Sequence, residues 1–182
     1  MMTSEIYQDL YRYNGKRGLR GLVGTALRKV EFRYMVYFRW YQSGRLRPLA
    51  RLLLHAICRK TLTEIGWKCR IGGGFVIVHP GCIAINSEVV IGNNCTVYHG
   101  VTLGMEFRGS RQGNPVIGNS VWLGANATVV GNITVGDDVL IAPSAYVNFD
   151  VPSHSIVLGN PARIIPREKA TEGYITRIDT AS

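Results

Sequence analysis

The sequence predicts a mainly β protein: a parallel β-helix of hexapeptide repeats, single-stranded, preceded by a short α-helical segment. Three observations carry this. An aliphatic residue recurs every six positions from Ile65 onward, Gly, Asn and Asp gather between these aliphatics, and the residues before position 64 follow a helical spacing instead.

The period comes first. Ile65, Ile71, Ile77 and Ile83 form one register. Ile85, Ile91, Val97 and Leu103 form a second, displaced by two residues, and Ile117, Leu123, Val129, Val135, Ile141 and Val147 a third. A period of six fits neither an α-helix nor a two-faced strand; it marks short strands joined by tight turns, each aliphatic stacked on its equivalent one coil away. GNN, GNS, GAN and GDD supply the turns, because Gly, Asn and Asp tolerate positive φ. Each coil buries its apolar stripe only against its neighbours. The repeat breaks once, at MEFRGSRQGN (105–114), a polar insert predicted to project as a loop.

The segment from Thr3 to Lys60 reads as helices, in the runs GLVGTALRKVEFRYMVYFRWYQ and RPLARLLLHAICRK, with Gly44 and Pro48 breaking it between them. The expected organisation is a helical segment over 1–63, a β-helix over 64–166 with the loop 105–114, and a tail over 167–182. Charge divides the same way. Residues 1–63 carry 13 Lys or Arg against three acids, and residues 64–182 carry eight against nine. Two readings of the basic segment stay open: a cap packing on the first coil, or contact with an anionic membrane surface through the aromatic and basic residues of VEFRYMVYFRWYQSGRLRPL. No motif supports nucleic-acid binding. No run is long and apolar enough to span a bilayer, and the first residues lack a secretory layout, so a cytoplasmic location is expected, with the inner membrane face as the peripheral option. Cys58, Cys69, Cys82 and Cys95 match no metal-site spacing and are expected as reduced, mostly buried thiols; no metal is expected.

Residues 64–166 resemble the serine acetyltransferase branch of the left-handed β-helix acyltransferases. The stretches that carry the resemblance are GGGFVIVHPG, VVIGNNCTVYHGVTLG, the loop closing on NPVIG, VWLGANATVVGNITVGDDVLIAPSAYV and VPSHSIVLGNPARII. The resemblance implies the left hand of the coil, a homotrimer, and acetyl-CoA lying in clefts between neighbouring β-helices.

Acetyl transfer from a thioester to an alcohol needs a base at the hydroxyl and donors for the developing oxyanion. His79 and His99 each follow an inward aliphatic by two residues, so their spacing puts both rings on one face, one coil apart. The family's catalytic histidine matches His79. The aspartate that orients it there, fifteen residues earlier, matches Glu64, whose carboxylate would fix the imidazole tautomer. His99 stands where many relatives have Gln and could position the acceptor; a turn-lining role is equally open. The resemblance further implies Ala125 and Pro143 beside the pantetheine arm, with Arg163, Arg167 and Lys169 as candidates for the phosphates. His55 and His154 are expected in surface or packing roles.

Three departures bear on the acceptor. Val78 replaces an Asp, and Gly113 with Asn114 replaces an Arg-His pair that meets the amino acid's charged groups; Asn114 is kept as a candidate acceptor contact. With those charges gone, the expected acceptor is a hydroxyl of a sugar or glycan precursor. Serine is the alternative, and a non-catalytic trimeric scaffold is a third reading.

Overall fold

The computed structural model describes residues 4–44 and 46–179. Four helices come first: α1 (Ser4–Asn14), α2 (Gly18–Arg28), α3 (Val30–Gln42) and α4 (Arg47–Thr61). One predicted run divides in two at Lys29, an extended residue whose amide closes α2 on Thr25. Pro48 sits in the first turn of α4, where a missing amide costs nothing.

The coils follow. The first holds β1 (Thr63–Ile65), β2 (Arg70–Ile71) and β3 (Val76–Ile77); the second holds β4 (Ile83–Ile85), β5 (Val90–Ile91) and β6 (Thr96–Val97). The third holds β7 (Thr102–Gly104), β8 (Val116–Ile117) and β9 (Trp122–Leu123); the fourth holds β10 (Thr128–Val130), β11 (Thr134–Val135) and β12 (Val139–Ile141). The last comprises β13 (Tyr146–Val147) and β14 (Ser155–Leu158), and β15 (Arg163–Pro166) turns back antiparallel to β14. Stacking yields three faces: β1-β4-β7-β10-β13, then β2-β5-β8-β11, then β3-β6-β9-β12-β14. All fourteen periodic aliphatics point inward and are buried, forming one continuous apolar column.

The pairings locate each irregularity. Arg70 pairs with Val90 and Val76 with Thr96, so the first coil takes 20 residues; Ala84 pairs with Thr102, so the next step along the first face takes 18. The two extra residues fall between Ile77 and Ile85, in the corner that carries His79. The insert lies along the opposite edge of the first face. Glu106 and Gly113 bridge its base, while the Arg111 carbonyl accepts from the Asn132 amide and the Arg111 guanidinium donates to the Asn148 carbonyl.

At the corner between the second and third faces, Gly72, Gly92, Gly118 and Gly136 stack on one another. A Cβ on Gly118 would stand 2.5 Å from Asp137 Oδ1 and 2.8 Å from the Gly136 backbone. The Gly136 backbone cannot yield, so Gly118→Ala is expected to cost about 2 to 3 kcal/mol by overpacking. A melting midpoint lower by about 8 °C checks this.

The helices cap the open end of the first coil. Arg39 and Asp9, both buried, form a bidentate pair at 2.9 and 3.1 Å. Arg39 also donates to the carbonyls of Ile71 and Gly72, while Asp9 accepts the Phe75 amide. Tyr13 accepts the Ile77 amide and donates to the Ile77 carbonyl. Phe32, Tyr34, Met35, Val36 and Phe38 of α3 are buried. The aromatic stretch singled out for membrane contact therefore packs inward, which corrects that reading for α3.

The tail returns along the third face. Asp138 accepts from the amides of Ala170 and Thr171 and from the Thr171 hydroxyl, with His154 Nδ1 at 2.9 Å. Burial would raise the Asp138 carboxyl, but these hydrogen bonds together hold it below its ordinary range, and Asp138 in turn raises His154. Arg12 then donates to the Thr176 carbonyl. All four cysteines are free thiols; Cys69 and Cys95 are buried and pushed up to about 12 by that burial, whereas Cys82 is exposed, against the expectation for it.

Candidate functional site

The site is built from strand register. In β3 and β6, Ile77 pairs with Val97; two residues on, His79 falls opposite His99. In β6 and β9, Val97 pairs with Leu123, so His99 falls opposite Ala125; in β9 and β12, Leu123 pairs with Ile141, so Ala125 falls opposite Pro143. Backbone ladders confirm the corner, with the Asn126 amide donating to the His99 carbonyl and the Ser144 amide to the Ala125 carbonyl. His79, His99, Ala125 and Pro143 thus occupy one column, at the corner between the third and first faces. The imidazole centroids of His79 and His99 are 6.3 Å apart.

This column has a chemical gradient. Two imidazoles stand at one end. Beyond them the side chains shrink to Ala125 and Pro143, leaving backbone accessible to an extended ligand. Gly124 lies too close to its neighbours to bear a side chain: a Cβ there would meet the Pro143 nitrogen at 2.6 Å and the Trp122 ring at 2.9 Å. At the far end Arg163 pairs with Leu158, adjacent to the next corner, and presents an exposed cation. A base, a narrow backbone-lined wall and a cation in line suit a thioester on a long arm that ends in phosphate.

Four other predicted residues lie elsewhere in the single chain. Glu64 sits on the first face, in register with Ala84, and lines a cleft of about 330 Å³ with His55, Trp67 and Ser87. Among the described residues it makes no hydrogen bond or ion pair with His79. Asn114 closes the insert at the corner between the first and second faces, and its Oδ1 is buried with no hydrogen-bond partner among the described residues. Lys169 lies next to Ala170, which donates to Asp138, and pairs with Glu172 at 3.6 Å. The Arg167 amide donates to the His154 carbonyl. Both cations therefore hang at the corner between the second and third faces, separated from the column by the width of the third face. Within the chain, Lys169 and Arg167 are thus not brought to the column with Arg163.

One group beside His79 had no place among the residues expected from the sequence. Tyr98 packs edge-on against His79 at 5.9 Å between centroids, Trp122 on Tyr98 at 5.0 Å, and Tyr174 of the tail on Trp122 at 5.1 Å. The displacement that sets His79 against His99 also sets Val78 against Tyr98, so the signal was present in the spacing. Among the described residues, no group of three or more His, Cys, Asp or Glu is placed to hold a metal ion.

The bacterial transferase hexapeptide (six repeats) family matches residues 114–148. A serine acetyltransferase of Synechococcus elongatus is 38% identical over 128 residues, covering 70% of this chain and 52% of that protein. A serine acetyltransferase of Helicobacter pylori is 40% identical over 134 residues, covering 72% of this chain and 73% of that protein. Among solved structures, the serine acetyltransferase of Brucella abortus in complex with coenzyme A superposes with a TM-score of 0.70 at 27% identity, over 90% of this chain and 66% of that one. The chain thus spans about half the length of the first relative and nearly three quarters of the second. These relatives overturn the expectation of a sugar acceptor. That expectation rested on Val78, Gly113 and Asn114, which within one chain lie at two different corners.

Proposed function

The chain belongs to the serine acetyltransferase family, and we propose on that premise that it transfers the acetyl group of acetyl-CoA to the hydroxyl of L-serine. The observation that carries this reading is the single corner column of His79, His99, Ala125 and Pro143. His79 takes the serine hydroxyl proton as the oxygen attacks the thioester carbonyl. The tetrahedral intermediate then collapses, the carbon–sulfur bond breaks, and the imidazolium returns its proton to the departing thiolate. O-acetylserine and CoA leave.

A homotrimer completes the site in this reading. The first face carries small outward side chains at Ala84, Thr102 and Thr128, which allow close approach of another chain. Three-fold packing around that face brings the His79 corner of one chain against the insert corner of the next. The partner's Asn114 then lies at the corner set against the column and is the proposed acceptor contact. Glu64, on the face turned toward the axis, is the proposed carboxylate partner of the His79 imidazolium. Arg163 receives the CoA phosphates.

The test is thiol release from acetyl-CoA by the purified chain. Release stimulated at least about 10-fold by L-serine is expected, given a positioned base. A folded trimer that binds acetyl-CoA but shows no serine-dependent release would overturn the acceptor assignment.

A further inference from the structure

Helix α2 presents two unlike faces. Leu22 and Thr25 turn inward, and Leu22 packs with Ile6, Leu10 and Phe32. On the outer side, Leu19, Val23 and Leu27 recur at every fourth residue and are 62%, 48% and 72% exposed. Among the described residues, nothing covers this stripe. Arg20 and Arg28 run along its flank, both exposed and, among the described residues, without an ion-pair partner. Lys16 and Arg17 precede it, and α2 contains no acidic residue. Gly24 faces open space, so a residue that weakens a helix interior is kept there without any packing gain.

We propose that α2 docks on an anionic lipid surface, lying flat with Leu19, Val23 and Leu27 at the acyl boundary and its arginines among the headgroups. An apolar stripe rimmed by cations is the amphipathic pattern of an interfacial helix. Charge decides between occupants. A second α2 packed on the first across a two-fold axis would set one basic rim against another, with no acid in the helix to relieve it; the flanking acids Asp179 and Glu31 already pair with Arg17 and Lys29. A nucleic acid would satisfy the arginines but leave three large aliphatics in water. An anionic bilayer meets both needs, and each cation near it adds an attraction that salt screens. Helix α4 has the same composition, with Leu49 and Leu52 exposed and no acidic residue. No helix among the described residues is long and apolar enough to cross a membrane, so the contact is peripheral.

The experiment is flotation of the intact protein with vesicles of phosphatidylcholine alone, or of phosphatidylcholine with about a third phosphatidylglycerol, at low and high salt. Co-flotation with the anionic vesicles at low salt is expected, at least about tenfold above the neutral ones, and reduced at high salt. Leu19→Gln/Val23→Gln/Leu27→Gln should abolish it with acetyl transfer unchanged. Arg20→Glu/Arg28→Glu, at exposed positions, should abolish it too and decides the matter if the triple variant fails to fold. Wild-type protein that stays at the bottom with anionic vesicles at low salt defeats the proposal. So does flotation of either folded variant at the wild-type level. A triple variant that lowers the particle mass by light scattering, without lipid, would show instead that a second copy covers the stripe.

Discussion

Replacing His79 with alanine is expected to lower serine-dependent turnover at least about 100-fold, because an alcohol at neutral pH is a poor nucleophile until a base takes its proton. The loss should appear equally in kcat and kcat/KM, since the proton transfer is made only in the transition state. Binding of acetyl-CoA should survive, because Ala125, Pro143 and Arg163 lie further along the column. The fold should survive as well. His79 sits at a corner, outside the apolar column, and contributes one edge contact to Tyr98. Such a contact is worth about 1 kcal/mol, which a stack of five coils tolerates. Circular dichroism and light scattering check that the fold and the proposed trimer persist, and steady-state kinetics then isolate the chemistry. A His79→Ala enzyme within tenfold of wild type would remove the imidazole from the mechanism and leave the column as a binding wall only.

Two halves of the column were legible because they depend on counting, His79 with His99 and Ala125 with Pro143, while the insert between Val97 and Leu123 hides the step that joins them. Register in a solenoid is integral, so an offset between two inward aliphatics passes unchanged to the residues beside them. His79 and His99, then Ala125 and Pro143, inherit their alignment from Ile77, Val97, Leu123 and Ile141. The fourteen aliphatics were legible for the same reason, and all are buried. Counting fails where the period ends. Lys169 and Arg167 lie beyond the last coil, where Asp138 dictates the tail's path through three hydrogen bonds that no spacing announces. Asn114 lies at the end of an insert, which resets the count, so its corner could be read only from β8. In the helical segment, composition showed amphipathic runs but not which face meets the coil. The aromatics of α3 went inward because they cap an apolar stack that needs an end, and the exposed stripe fell to α2. The break at Lys29 that separates the two helices has no Gly or Pro to mark it.

That capping arrangement yields the largest expected effect on stability. Arg39→Met keeps much of the side chain's volume but leaves Asp9 fully buried without its countercharge, and leaves the carbonyls of Ile71 and Gly72 without donors. Removing one partner of a buried ion pair costs about 3 to 5 kcal/mol. A domain's whole stability is only about 5 to 15 kcal/mol, so a drop of roughly 10 °C or more in the melting midpoint is expected. The pH dependence has a definite sign. Burial already pushes the Asp9 carboxyl above its ordinary value, with Arg39 opposing the shift. Without Arg39, Asp9 moves higher still, so the folded variant holds a proton that the unfolded chain releases above about pH 4. Its stability therefore falls as pH rises through that window, and the deficit against wild type is larger at pH 8 than at pH 4.5. Asp9→Leu/Arg39→Met should recover only part of the loss. It removes the stranded charge, yet the Phe75 amide and the two first-coil carbonyls still lack partners. Urea titrations of the three proteins at both pH values separate these terms. A single variant whose deficit shrinks as pH rises would mean that Asp9 is not the group left stranded.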